Sequence, residues 1–118
     1  MTSELFRLSQ EESINIVELS LPQTLDSEEF DRLNEAFSRL FVDAAGKRWL
    51  LDLSRLSYMG SAALGLMVNV RQQVKSNGGR LVLCCLSPRL MRIFQTCCLE
   101  RLFTIVKTRD EALRELMH

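Results

Sequence analysis

The run from Leu50 to Val70, LLDLSRLSYMGSAALGLMVNV, constrains the fold more than any other part of the chain. Trp49-Leu50-Leu51-Asp52-Leu53 is nearly unbroken in apolar residues. That pattern suits an interior strand covered on both faces. The run breaks at Gly60-Ser61 and resumes as a helix from about Ser61 to Ser76, with Leu64, Met67, Val68 and the stem of Arg71 at helical spacing. Asn77-Gly78-Gly79 ends it, glycine supplying the left-handed conformation that a helix exit often needs. The switch from strand to helix sets one small hydroxyl, Ser61, at a helix N-terminus, where negative charge is favoured. No base or nucleophilic partner stands near it in sequence, which argues against an ordinary enzyme.

The remaining segments repeat this alternation. Leu5–Leu8 reads as a short strand, Glu11-Glu12-Ser13 as a turn, and Ile14–Leu19 as a clearer strand, close enough to pair with the first as an antiparallel hairpin. Asp26 and Glu29 form a capping box. Phe30, Leu33, Phe37, Leu40 and Phe41 line one face of the following helix, with Glu28, Arg32, Glu35 and Arg39 toward water. Gly46 closes the loop after it. Arg80–Leu86 is a buried strand, and Ser87-Pro88 opens a helix whose inner face is Leu90, Met91, Phe94 and Cys98. Leu102–Val106 is a last strand. Thr108 and Glu111 form a second capping box, and Ala112, Leu113 and Leu116 complete a short helix. The order is β-β-α-β-α-β-α-β-α. It predicts a single α/β domain over residues 1–118, with a mostly parallel sheet, an antiparallel edge strand and packed helices.

The net charge of +0 hides an asymmetry. Residues 1–46 carry ten acids and three bases, a net of −7, and residues 47–118 carry five acids and twelve bases, a net of +7. Solvated helix faces or a charged docking surface for a protein both account for this. With no global field and few aromatics for stacking, direct nucleic-acid binding is not expected. No apolar run reaches the roughly 18 residues of a membrane span, and Met1-Thr2-Ser3-Glu4 does not begin a signal peptide, so a cytoplasmic protein without membrane insertion is expected. The four cysteines form two adjacent pairs, Cys84-Cys85 and Cys97-Cys98. Neighbours on a strand point to opposite faces, so neither pair is expected to make one ligand site, and buried, reduced thiols are expected instead. The sole histidine, His118, is terminal. No phosphate-binding glycine motif, metal-ligand spacing or histidine-based triad is present, so neither a metal nor a cofactor is expected.

Leu51-Asp52-Leu53-Ser54 followed by Tyr58-Met59-Gly60-Ser61-Ala62-Ala63-Leu64-Gly65 resembles the centre of STAS domains, the anti-sigma factor antagonists and their relatives. The resemblance continues through Asn77-Gly78-Gly79-Arg80-Leu81, Ser87-Pro88 and Cys98-Leu99-Glu100-Arg101-Leu102-Phe103, covering nearly the whole chain in order. It implies a binding module that catalyses nothing. Its partner would be an anti-sigma factor that is also a serine kinase, and phosphorylation of Ser61 would release that partner. Tyr58, Met59, Gly60, Ser61 and Ala62 would form the contact. The family pattern has Asp, a second Ser or Thr, and Gly where this chain has Gly60, Ala62 and Ala63.

A helix N-terminus tolerates a phosphate, so the release would act at the interface. A penalty of about 3–4 kcal/mol there weakens binding a few hundredfold. Other readings stand beside this one. Ser61 is then simply the N-cap, Gly60 shapes the turn with backbone free to adopt a positive φ, and Tyr58 and Met59 cap the core. The second-ranked reading is a structural subunit of a lipid-transport or signalling assembly, with a permanent contact at Gly60-Ser61 and no phosphorylation. The oligomeric state stays open.

Overall fold

Two residues, Glu12 and Ser13, turn strand β1 (Phe6–Glu11) back on β2 (Ile14–Leu19). Both take positive φ, 50° and 68°, the handedness a two-residue hairpin needs, although neither is glycine. The computed structural model describes residues 5–22, 24–42 and 47–118; Gly46, expected to close a loop, lies outside them. From β2 the chain alternates: α1 (Ser27–Val42), β3 (Arg48–Asp52), α2 (Ser61–Ser76), β4 (Arg80–Cys84), α3 (Pro88–Thr96), a 3-10 turn (Leu99–Arg101), β5 (Thr104–Val106) and α4 (Arg109–Met117). The sheet order is β1-β2-β3-β4-β5, antiparallel between β1 and β2 and parallel elsewhere. This is the α/β architecture expected, edge hairpin included.

The period of two along each strand divides the core into two layers. Trp49, Leu51 and Leu53 enter the larger one, with Phe37 and Phe41 of α1, Leu66, Met67 and Val70 of α2, and Leu90 and Phe94 of α3. Phe6, Phe37, Phe41 and Trp49 run through it ring to ring, at centroid spacings of 5.3, 5.4 and 4.5 Å. Leu50 faces the other way, with Ile14, Ile16, Val82, Cys84, Ala112 and Leu116. So α1, α2 and α3 cover one face of the sheet and α4 covers the other.

The helix ends follow their chemistry. The Asp26–Glu29 box forms in both directions, at 2.7 and 3.1 Å. Ser87 Oγ accepts from the Leu90 N–H, with Pro88 as first helical residue, and Thr108 Oγ1 accepts from the Glu111 N–H. At the end of α2, Gly79 N–H donates to Val74 O and Gly78 N–H to Lys75 O, a Schellman closure with Gly78 at φ +73°. Gly79 must be bare as well: a Cβ there would stand 2.7 Å from the Lys47 carbonyl.

Five details depart from expectation. The buried stripe of α2 is Ala63, Leu66, Met67, Val70 and Val74, while Leu64 and Val68 are half-buried. Apolar residues nearly encircle this helix, so spacing alone does not choose the face that docks. Helix α3 stops at Thr96, which leaves Cys98 exposed beyond it at φ +59° instead of on the inner face. Strand β4 ends at Cys84 because Cys85 turns left-handed, and β5 begins two residues late because Leu99–Arg101 coils first. Of the four cysteines only Cys84 is buried; Cys85 is intermediate and Cys97 and Cys98 are exposed.

Candidate functional site at the start of helix α2

In parallel α/β sheets, ligands meet the loops beyond the carboxyl ends of the strands. At that end of this molecule the β2–α1 and β3–α2 connections meet. Leu21, Pro22, Thr24 and Leu25 form one wall of a notch of about 260 Å³, and residues 58–63 form the other. Tyr58, Met59, Gly60, Ser61 and Ala62, the residues singled out in the sequence, all line it. The β3–α2 loop is pinned beneath them. Leu53 N–H donates to Cys84 O, Leu56 N–H donates to Leu53 O, and the Leu56 side chain is buried.

Gly60, not Ser61, is the N-cap of α2. Its carbonyl accepts the first helical bond, from Leu64 N–H at 3.0 Å, and no side chain caps the helix. Its φ of −82° is ordinary extended backbone, so the expected positive φ is not used. A Cβ at this position would find only the Tyr58 ring, at 3.9 Å, an ordinary contact. Ser61 is the first helical residue, exposed, its hydroxyl without a hydrogen-bond partner among the described residues. Among the described residues no side chain caps the first N–H groups of α2, which stand at the notch. Ala62 is exposed too. Met59 is only 3% exposed and packs into the main core. Tyr58 is half-buried, with the Arg89 guanidinium 5.3 Å from its ring centroid.

Beneath the opposite face of the sheet lies a charged cluster that pattern reading did not find. Glu18, Asp52 and Cys84 share one register row at the carboxyl ends of β2, β3 and β4. Arg109, the first residue of α4, reaches Asp52 Oδ2 with Nη2 at 2.7 Å and Nε at 3.2 Å, and Glu18 Oε1 at 2.9 Å. Arg55 stands 3.7 Å from Glu18 on the outer side. Burial raises the Asp52 pKa, but the Ser54 N–H and hydroxyl and the Arg109 guanidinium outweigh it and hold the carboxyl below its ordinary value. For Arg109 the balance also favours the ion: burial opposes the charge, and Asp52 and then Glu18 more than restore it. The signal available in sequence was Asp52 itself, one charge in an apolar strand, which needs a buried partner.

Cys84 and Cys85 also differ from expectation. Because the strand ends between them, their sulfurs converge to 3.3 Å, and with an Asp52 oxygen they lie within 4.8 Å of one another. The donor set is a poor fit for a cation. Asp52 already accepts from Ser54 and Arg109, and the guanidinium puts positive charge at the same spot. Burial pushes the Cys84 thiol well above its ordinary pKa, away from the thiolate a metal needs.

Residues 7–112 match the model of the STAS domain family. The chain is a STAS domain. A Bordetella bronchiseptica protein, BtrV, provisionally named an anti-sigma factor antagonist, is 35% identical over 71 residues, which are 60% of this chain and 61% of that one. An anti-sigma factor antagonist STAS domain protein from Planctomyces limnophilus superposes with a TM-score of 0.82 at 22% identity, over 96% of this chain and 98% of the other. The Bacillus cell fate determinant SpoIIAA in its phosphorylated form superposes with a TM-score of 0.67 at 22% identity, over 93% and 97%. At such identities the two structures speak for the fold. Among the described residues, no helix of this STAS domain is long and apolar enough to cross a membrane.

Proposed function

We infer that this STAS domain acts as an anti-sigma factor antagonist, binding an anti-sigma factor that is also a serine kinase and losing it when Ser61 is phosphorylated. The observation that carries this reading is the bare start of α2. Ser61 is exposed, and among the described residues its hydroxyl is unengaged and the N–H groups behind it have no capping side chain. A kinase can reach such a hydroxyl, and a phosphate on it would meet free donors and the positive end of a helix dipole. The modified domain stays folded, and the dianion acts where the partner would sit. The relative named an antagonist and the solved phosphorylated SpoIIAA agree with this role. The domain works by binding, with Tyr58, Gly60, Ser61 and Ala62 as contact surface and Met59 as the buried support beneath it.

The test is to mix the protein, with ATP, with the serine-kinase anti-sigma factor encoded beside it. Complex formation is followed by size-exclusion chromatography and phosphate on Ser61 by mass spectrometry. The expected result is a complex that dissolves as Ser61 gains phosphate, and one that persists in Ser61→Ala. Gly60 and Ala62, which remove two polar groups from the family pattern, favour a second reading: a permanent contact in a multiprotein assembly. Stable co-purification with a transporter ATPase, without phosphate on Ser61, would decide for it.

A further inference from the structure

Residues 53–99 contain six cations, Arg55, Arg71, Lys75, Arg80, Arg89 and Arg92, and no aspartate or glutamate. They supply one whole wall of the notch and the helix beside it, α3. Arg55 is turned to Glu18, and Arg71 Nε donates to the Leu102 carbonyl at 2.5 Å. Arg89 and Arg92 make no ion pair among the described residues. Arg89 is nevertheless positioned, over the ring of Tyr58, which lines the notch. Arg92 follows one turn later on the same exposed side of α3. Beyond the other wall, at the start of α1, Asp26 and Glu29 are occupied with each other's backbone N–H groups, and Glu111 lies along α3 beside Pro88 and Met91.

We propose that Arg89 and Arg92 form a cationic rim that docks a carboxylate-bearing segment of a protein partner, with an apolar side chain of that segment entering the notch beside Ser61. The proposal rests on the functional reading above only for the identity of the partner. Its chemistry is local. A guanidinium offers a planar fork of donors that matches a carboxylate two bonds at a time. Stacking on Tyr58 holds one fork in advance, so less side-chain freedom is lost on docking. Tyrosine and arginine beside a recess whose far wall carries Leu21, Pro22 and Leu25 are also the residue types on which binding energy concentrates. Gly60 contributes by absence: an acid in its place would stand beside Tyr58 and compete for Arg89. A phosphate on Ser61 would then draw on the same guanidinium groups as the partner's carboxylates. The rival cationic surface is the depression at the far end of α2, lined by Arg71, Lys75 and Arg80, where Arg71 is already committed to Leu102.

The test uses the full chain, ¹⁵N-labelled, titrated with a short glutamate-rich peptide carrying a central leucine, and with its lysine-rich counterpart. The glutamate peptide should shift the side-chain Nε–Hε signals of Arg89 and Arg92 and the amides of Tyr58 and Ser61. The lysine peptide should not, and Arg89→Glu with Arg92→Glu should abolish the shifts in an otherwise folded spectrum. Shifts centred on Arg71, Lys75 and Arg80, or none, would overturn the proposal. In a second arm, the affinity for the serine-kinase anti-sigma factor should fall at least about tenfold in the double variant and stay within about twofold in Lys75→Glu. Unchanged affinity in the double variant also overturns it. A wild-type protein that binds the peptide at the rim but not the kinase supports the rim and refutes the functional reading instead.

Discussion

Ser61 and Arg109 are both first residues of helices, and both stand just beyond the carboxyl ends of parallel strands. They are treated in opposite ways. Arg109 is held by two carboxylates, one almost wholly buried, and the preceding Thr108 caps its helix. The Ser61 hydroxyl has no hydrogen-bond partner among the described residues, and the preceding Gly60 caps its helix with a carbonyl alone and no side chain. The start of α3 lies between these extremes, capped by Ser87 and carrying Pro88 where no N–H is needed. Helix starts that hold the fold together are saturated with partners. Among the described residues, the start of α2 has no capping side chain.

Three substitutions grade this contrast. Arg109→Met should have the largest effect on stability. It leaves Asp52 buried without its cation, and because the guanidinium is about a third exposed the loss should be roughly 2 kcal/mol rather than the larger value of a fully buried pair. Urea denaturation midpoints measure it. The same variant changes the acid response. Asp52 has a folded pKa below the ordinary 3.8, so its contribution is complete above that value and disappears as pH falls through the depressed folded pKa. The acid limb of the stability curve should be shallower in Arg109→Met than in the wild type. A midpoint shift of only a few tenths of a kcal/mol would mean that the cluster holds nothing.

Ser87→Ala should cost about 1 kcal/mol, the ordinary value for removing a side-chain N-cap, again read from urea denaturation. Ser61→Ala should change stability least, within about 0.5 kcal/mol, because no bond of the native state is lost. The contrast breaks if Ser61→Ala costs as much as Ser87→Ala. It sharpens if the stability-neutral change is the one that prevents phosphate incorporation and partner release.

The strand and helix order was legible because each element announces itself locally. The doubly apolar β3 and β4, the amphipathic α1 and the boxes at Asp26 and Thr108 all rest on residues within a turn or two of one another. Ser61 was legible for the same reason, as the polar residue after a strand-to-helix break. What sequence left out needs three dimensions. The face of α2 is chosen by α1 and the sheet, since its own residues are apolar nearly all round. The role of Gly60 turns on whether its φ is positive, and it is not. Asp52, Glu18 and Arg109 come from three elements far apart in the chain, and only strand register brings the two acids side by side under the arginine. The convergence of Cys84 and Cys85 depends on where β4 ends, to the residue.

Met59 and Ala63 stand on either side of Gly60-Ser61-Ala62, and both are buried, at 3% and 5% exposure. The half-buried Gly60 and the exposed Ser61 and Ala62 are thus tethered at each end to the packed interior. A modifying group placed on them cannot be passed along as a shift of the backbone without unseating a core side chain. The domain then behaves like a printing block, with its message in the chemistry of the raised surface and not in a change of shape. A phosphorylated copy and an unmodified one should have nearly superimposable backbones, and a partner should meet a ready-made relief in both.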